Sequence, residues 1–74
     1  MTYEISEITE LLKIPETATR KLLNDAGAAL DELKSDPHEI VSREAVIALW
    51  GDRVGTREQR LLSKLLKQKG GNNE

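Results

Sequence analysis

Apolar residues recur at helical spacing along this chain, and the pattern breaks at three places. Ile8, Leu11 and Leu12 fall at i, i+3 and i+4, which sets them on one helical face. Ser6 is a candidate N-cap for that helix, with Ile5 before it as a hydrophobic staple. Lys13-Ile14-Pro15 interrupts the pattern, because Pro15 disfavours helix for Ile14 and suits the first turn of a new one. The second helix restarts near Glu16 and buries Leu22, Leu23 and Ala26, with Gly27 as a left-handed C-cap.

Residues 28–41 admit two readings. Ala26, Ala29, Leu30 and Leu33 keep helical spacing, so the second helix can run on to Lys34 with Gly27 in its interior, at a cost of about 1 kcal/mol. In the other reading the chain turns around Ser35-Asp36-Pro37, and Glu39-Ile40-Val41 returns as a strand. The first arm of that hairpin, Leu30-Asp31-Glu32-Leu33, is poor in strand formers.

Ser42 is the cap expected for a third helix over 42–51. Its run Ala45 to Trp50 is apolar all round, the mark of a buried helix. Gly51 or Gly55 ends it. Thr56 with Gln59 forms a capping box for a C-terminal helix over 56–69, in which Leu61, Leu62, Leu65 and Leu66 share a face opposite basic groups. A frayed tail is expected over 70–74. The pattern as a whole predicts one mainly α domain over 1–69, of about four helices. Its helix-turn-helix spans 6–27, and a short β-hairpin wing near 30–41 is the open alternative.

At 74 residues the chain is near the lower limit for a self-sufficient core. Cysteine is absent, which removes disulfides and zinc thiolates. No apolar run is long enough to span a bilayer, and the opening Met1-Thr2-Tyr3-Glu4 lacks the basic and apolar segments of a signal peptide. A cytoplasmic protein is expected. The net charge of −2 is unevenly spread. Residues 1–52 carry five basic and eleven acidic groups, whereas residues 53–69 carry Arg53, Arg57, Arg60, Lys64, Lys67 and Lys69 against Glu58 alone. The basic end therefore meets a polyanion, or an acidic surface of this chain or another copy.

The strongest functional signal runs from Ile8 to Leu23. A helix-turn-helix needs apolar residues where its helices touch and a small one where they approach closely. Ile8, Leu12, Ile14 and Leu23 fall at the apolar positions, Thr9 at the small one, and Pro15 where serine usually caps the second helix. The stretch Tyr3-Glu4-Ile5-Ser6-Glu7-Ile8-Thr9-Glu10-Leu11-Leu12-Lys13-Ile14-Pro15 resembles the opening of MerR-like and excisionase-like winged helix-turn-helix proteins. Arg20-Lys21-Leu22-Leu23 is similar to the end of their recognition helix, and Glu39-Ile40-Val41-Ser42-Arg43-Glu44-Ala45-Val46 to the segment after their wing. Three departures stand out. Lys13 replaces a common turn glycine, Thr19 sits where a buried valine is usual, and the wing segment is acidic through Asp31, Glu32, Asp36 and Glu39. An acidic wing is not expected to lie on DNA alone.

The resemblance implies sequence-specific binding of double-stranded DNA, by a small transcriptional regulator or a recombination directionality factor. Glu16, Thr17, Ala18, Arg20, Lys21 and Asn24 would then face the DNA, Arg20 and Lys21 toward guanine edges or phosphates. Arg57, Arg60 and Lys64 of the last helix would add phosphate contacts. Trp50, Leu61, Leu62, Leu65 and Leu66 are candidates for core packing or a dimer interface, since a homodimer or cooperative oligomer multiplies few contacts. The alternative is a helical protein-interaction adaptor or antirepressor, its acidic and basic parts meeting complementary surfaces.

No enzymatic function is expected. Glu7 and Glu10 are one turn apart on a solvated face and lack a cleft setting. His38, the only histidine, is expected in an exposed turn without metal partners. Gly51 to Arg57 lacks the lysine and hydroxyl pair of a phosphate loop. No cofactor, metal or small-molecule substrate is expected.

Overall fold

The computed structural model describes residues 2–70. Strand β1 (Thr2–Glu4) is followed by helices α1 (Ile5–Leu12) and α2 (Glu16–Asp25), strand β2 (Ile40–Ser42), and helices α3 (Arg43–Asp52) and α4 (Arg57–Gly70). Among the described residues the fold is mainly α, with four helices and one small sheet. The tail expected over 70–74 lies, apart from Gly70, outside the described residues.

β1 and β2 pair antiparallel, with Thr2 opposite Ser42, Tyr3 opposite Val41 and Glu4 opposite Ile40. Each strand runs straight into a helix, so the sheet ties the start of α1 to the start of α3. Period-two alternation then turns Tyr3 and Val41 inward, where both are buried, and leaves Ile40 outside. The return strand expected at Glu39-Ile40-Val41 thus exists one residue later, and its partner is the N-terminus. Residues 30–33 form no strand, and α2 does not continue through them.

α2 stops where Gly27 allows it. Gly27 has φ +104°, its N–H donates to the Asn24 carbonyl (2.9 Å), and the Ala28 N–H reaches the Leu23 carbonyl (2.9 Å). This is the paired C-cap that a left-handed residue after a helix provides. Residues 28–39 then form a loop fastened by side chains rather than by a strand ladder.

Two helix starts differ from the sequence expectation. Glu4, not Ser6, occupies the N-cap of α1, and the Glu7 carboxylate accepts its N–H (2.8 Å). The next two donors go to the loop, Ile5 N–H to the Glu39 carbonyl (3.0 Å) and Ser6 N–H to the Pro37 carbonyl (2.8 Å). Long-range carbonyls thus satisfy helix-end groups that local capping leaves open. At α4 the Thr56 hydroxyl accepts from Gln59 N–H (3.2 Å), but Gln59 accepts from Gly55 because the Thr56 N–H already bonds the Arg53 carbonyl. Ser42 caps α3 as expected, accepting from Ala45 N–H at 3.1 Å.

The core gathers Tyr3, Ile5, Ile8, Leu12, Leu23, Val41, Val46, Leu49, Leu62 and Leu65. Leu61 and Leu66 are half-buried against it. α3 is not buried all round. Val46 and Leu49 point inward, while Ile47 is 42% exposed and Ala48 lies on the surface. So small a fold has too few elements to cover every face of a helix. Arg43 joins three elements: its Nη1 donates to the Tyr3 hydroxyl (2.7 Å) and to the Leu66 carbonyl (3.3 Å).

Candidate nucleic-acid interface

α1 and α2 form a helix-turn-helix closed by a left-handed residue. Lys13 has φ 57° and ψ 48°, and the Ile14 N–H returns to the Thr9 carbonyl at 3.3 Å. The helices meet at Thr9 and Thr19, whose hydroxyls are 2.8 Å apart. Thr19 is fully buried at the valine-like position. Its hydroxyl also lies 3.3 Å from the Pro15 carbonyl, so it can donate there while accepting from Thr9. The departure from valine is therefore matched by a partner on α1.

α2 divides into an outward face and a face turned to the loop. Thr17, Lys21 and Asp25 are exposed, with Ala18 half-exposed beside them. Arg20 does not belong to the outward face, contrary to the sequence expectation. It is fully buried. Its Nε donates to Glu16 (3.0 Å), its Nη1 to the Asp31 carbonyl (3.2 Å) and its Nη2 to the Asp36 carbonyl (3.1 Å). The Glu39 carboxylate lies 2.7 Å from Nη1. Burial opposes the charge, but the close carboxylates of Glu39 and Glu16 outweigh it and hold the guanidinium above its ordinary pKa.

Glu16 and Asn24, also expected at the DNA, serve the same loop. The Glu16 carboxylate accepts the Asp36 N–H at 2.8 Å. Asn24 donates to the Leu30 carbonyl (2.8 Å) and to Glu32 (2.9 Å), and its side-chain oxygen accepts the Leu30 N–H. Three side chains of α2 thus hold the segment that would have been the first arm of a hairpin. A sequence signal existed for this: Glu16 and Arg20 stand at i and i+4, the spacing of an intrahelical ion pair. The loop carbonyls that complete the cradle had none.

On α4, Arg57, Arg60, Lys64 and Lys67 are all exposed. Their steps of three, four and three residues place them in one stripe about 15 Å long, opposite the buried Leu62 and Leu65. None of the four lies within ion-pair distance of a carboxylate among the described residues. Arg57 stands in the first turn of α4, where the helix dipole disfavours a cation.

Trp50 is half-buried at the α3–α4 contact, and its indole N–H donates to the Ser63 hydroxyl at 2.7 Å. His38 is exposed, with Nδ1 3.0 Å from the Glu4 carboxylate. Among the described residues no helix is long and apolar enough to cross a membrane. No family model, curated protein or solved structure matches this chain.

Proposed function

We propose that this protein binds double-stranded DNA through its helix-turn-helix, as a small transcriptional regulator or recombination directionality factor. The outward face of α2 carries the reading. Thr17 and Lys21 are exposed and Ala18 half-exposed, all short or cationic, and among the described residues no hydrogen bond or ion pair ties the Thr17 or Lys21 side chain to the fold. Lys21, with Lys13 at the turn, supplies charge to phosphate, and Thr17 supplies a hydroxyl. Arg20, Glu16 and Asn24 act indirectly, by holding the loop beside this face. The α4 stripe adds non-specific phosphate affinity.

A protein-interaction module is the second reading. The loss of Arg20 from the outward face favours it, since α2 keeps Lys21 as its one exposed cation, with Asp25 one turn away.

Fluorescence anisotropy with DNA from upstream of the protein's own gene separates the two. Salt-sensitive binding that prefers this DNA to a scrambled duplex supports the regulator. Folded protein that binds neither duplex at low salt rules it out and supports the module.

A further inference from the structure

Among the exposed apolar side chains Leu33, Ile40, Ile47 and Val54, two features stand apart from the proposed DNA face. The first is Leu33, 96% exposed at the tip of the 28–39 loop. This leucine is held out rather than loosely placed. Its N–H bonds the Asp31 carboxylate (2.9 Å), the Lys34 N–H bonds the Asp31 carbonyl (3.2 Å), and Arg20 and Asn24 anchor the loop on both sides. Asp31 and Glu32 precede it directly and Lys34, 3.8 Å from the Glu39 carboxylate, follows it, so the knob is apolar with an acidic shoulder on its N-terminal side. The second feature is a groove of about 230 Å³ between α3 and α4, lined by Ile47, Trp50, Ser63, Leu66 and Lys67. Its floor is apolar and its α4 edge basic, with Lys64 and Arg60 continuing the charge beyond Lys67.

We infer that Leu33 of one copy seats in the α3–α4 groove of the next, so that the protein associates head to tail. The groove is open and has room for one leucine side chain, whose loss from a core leaves a void on the order of 150 Å³. The charges agree as well: Asp31 and Glu32 beside the knob face Lys67 and Lys64 beside the hole. Ordered anchoring also lowers the entropy lost when Leu33 docks. Knob and hole are different surfaces, so the contact is heterologous and leaves a free knob and a free hole after every addition.

Sedimentation without DNA tests this independently of the proposed function. Wild-type mass is expected to rise with concentration past two chains. Leu33→Asp, which keeps the hole, and Ile47→Asp, which keeps the knob, should each weaken association at least tenfold, about 1.4 kcal/mol. Mixed together, the two variants should form one-to-one complexes and stop there. Circular dichroism checks folding, and Lys67→Glu takes the place of Ile47→Asp if that variant unfolds. A wild type that stays monomeric at about 1 mM overturns the inference. So does association that Leu33→Asp leaves unchanged, which would mean that the groove meets another groove. Failure of the mixed variants to pair overturns it too.

Discussion

Arg20 and Glu39 stand 2.7 Å apart, the arginine fully buried on α2 and the glutamate at the end of the 28–39 loop. The same guanidinium holds Glu16 and two loop carbonyls, so one side chain links the second helix to most of the segment that precedes β2. Glu39 in turn gives its carbonyl to the first N–H of α1. The helix-turn-helix and the loop are therefore one mechanical unit.

Arg20→Ala leaves two carboxylates and two carbonyls without their cation. Breaking a buried pair from one side costs about 3–5 kcal/mol, a large part of the stability of a domain this small. Urea unfolding should show the variant largely unfolded without denaturant, and Arg20→Lys should recover only part, because an ammonium cannot span the cradle. Stability equal to wild type would show that the loop is held by other contacts.

Lys13 adopts a left-handed backbone that a residue with a Cβ takes at a cost of about 1–2 kcal/mol. Lys13→Gly removes that cost and gives back part of it as chain entropy in the unfolded state. A net gain of about 0.5–1 kcal/mol in unfolding free energy is expected, read as a higher urea midpoint.

The Thr9 and Thr19 hydroxyls form a coupled pair. Thr19→Val should cost about 1 kcal/mol by leaving Thr9 without its partner, while Thr9→Ala with Thr19→Val should cost less than the sum of the two changes. Additive losses in a double-mutant cycle would deny the coupling.

His38 is raised above its ordinary pKa, chiefly by its hydrogen bond to Glu4, then by the charges of Glu4 and Asp36. A folded value above the unfolded one gives stability that is fully present below about pH 6.5 and lost as pH rises through the folded pKa. An NMR titration of the ring should show the raised value, and Glu4→Gln should return it toward 6.5. An unchanged midpoint in Glu4→Gln would assign the shift to other groups.

If DNA is the partner, Lys21→Ala should weaken binding and lower the salt slope by about 0.9, the share of one phosphate contact. Arg60→Ala and Lys64→Ala should act alike on specific and scrambled DNA. Anisotropy at several salt concentrations reads both effects.

The helices were legible in the sequence because their causes are local. Leucine spacing set α1, α2 and α4, and Ser42 marked the start of α3, while Gly27 offered an end for α2 that the spacing of Ala26, Ala29, Leu30 and Leu33 left open. Each depends on residues within a few positions. What the sequence left open depended on distant partners. Thr2–Glu4 becomes a strand only because Ile40–Ser42 lies beside it, and Ser6 yields the cap to Glu4 because the loop brings the Pro37 and Glu39 carbonyls to the helix start. Arg20 turns inward because two carboxylates and two carbonyls from separate parts of the chain converge on it, and desolvating a guanidinium is tolerable only where such partners assemble. Ile47 stays at the surface because none of the described elements covers it. Apolar spacing and capping residues by themselves located the four helices; tertiary structure decided where α2 stopped and which polar groups were left to face outward, because those choices are made by partners far away in the chain.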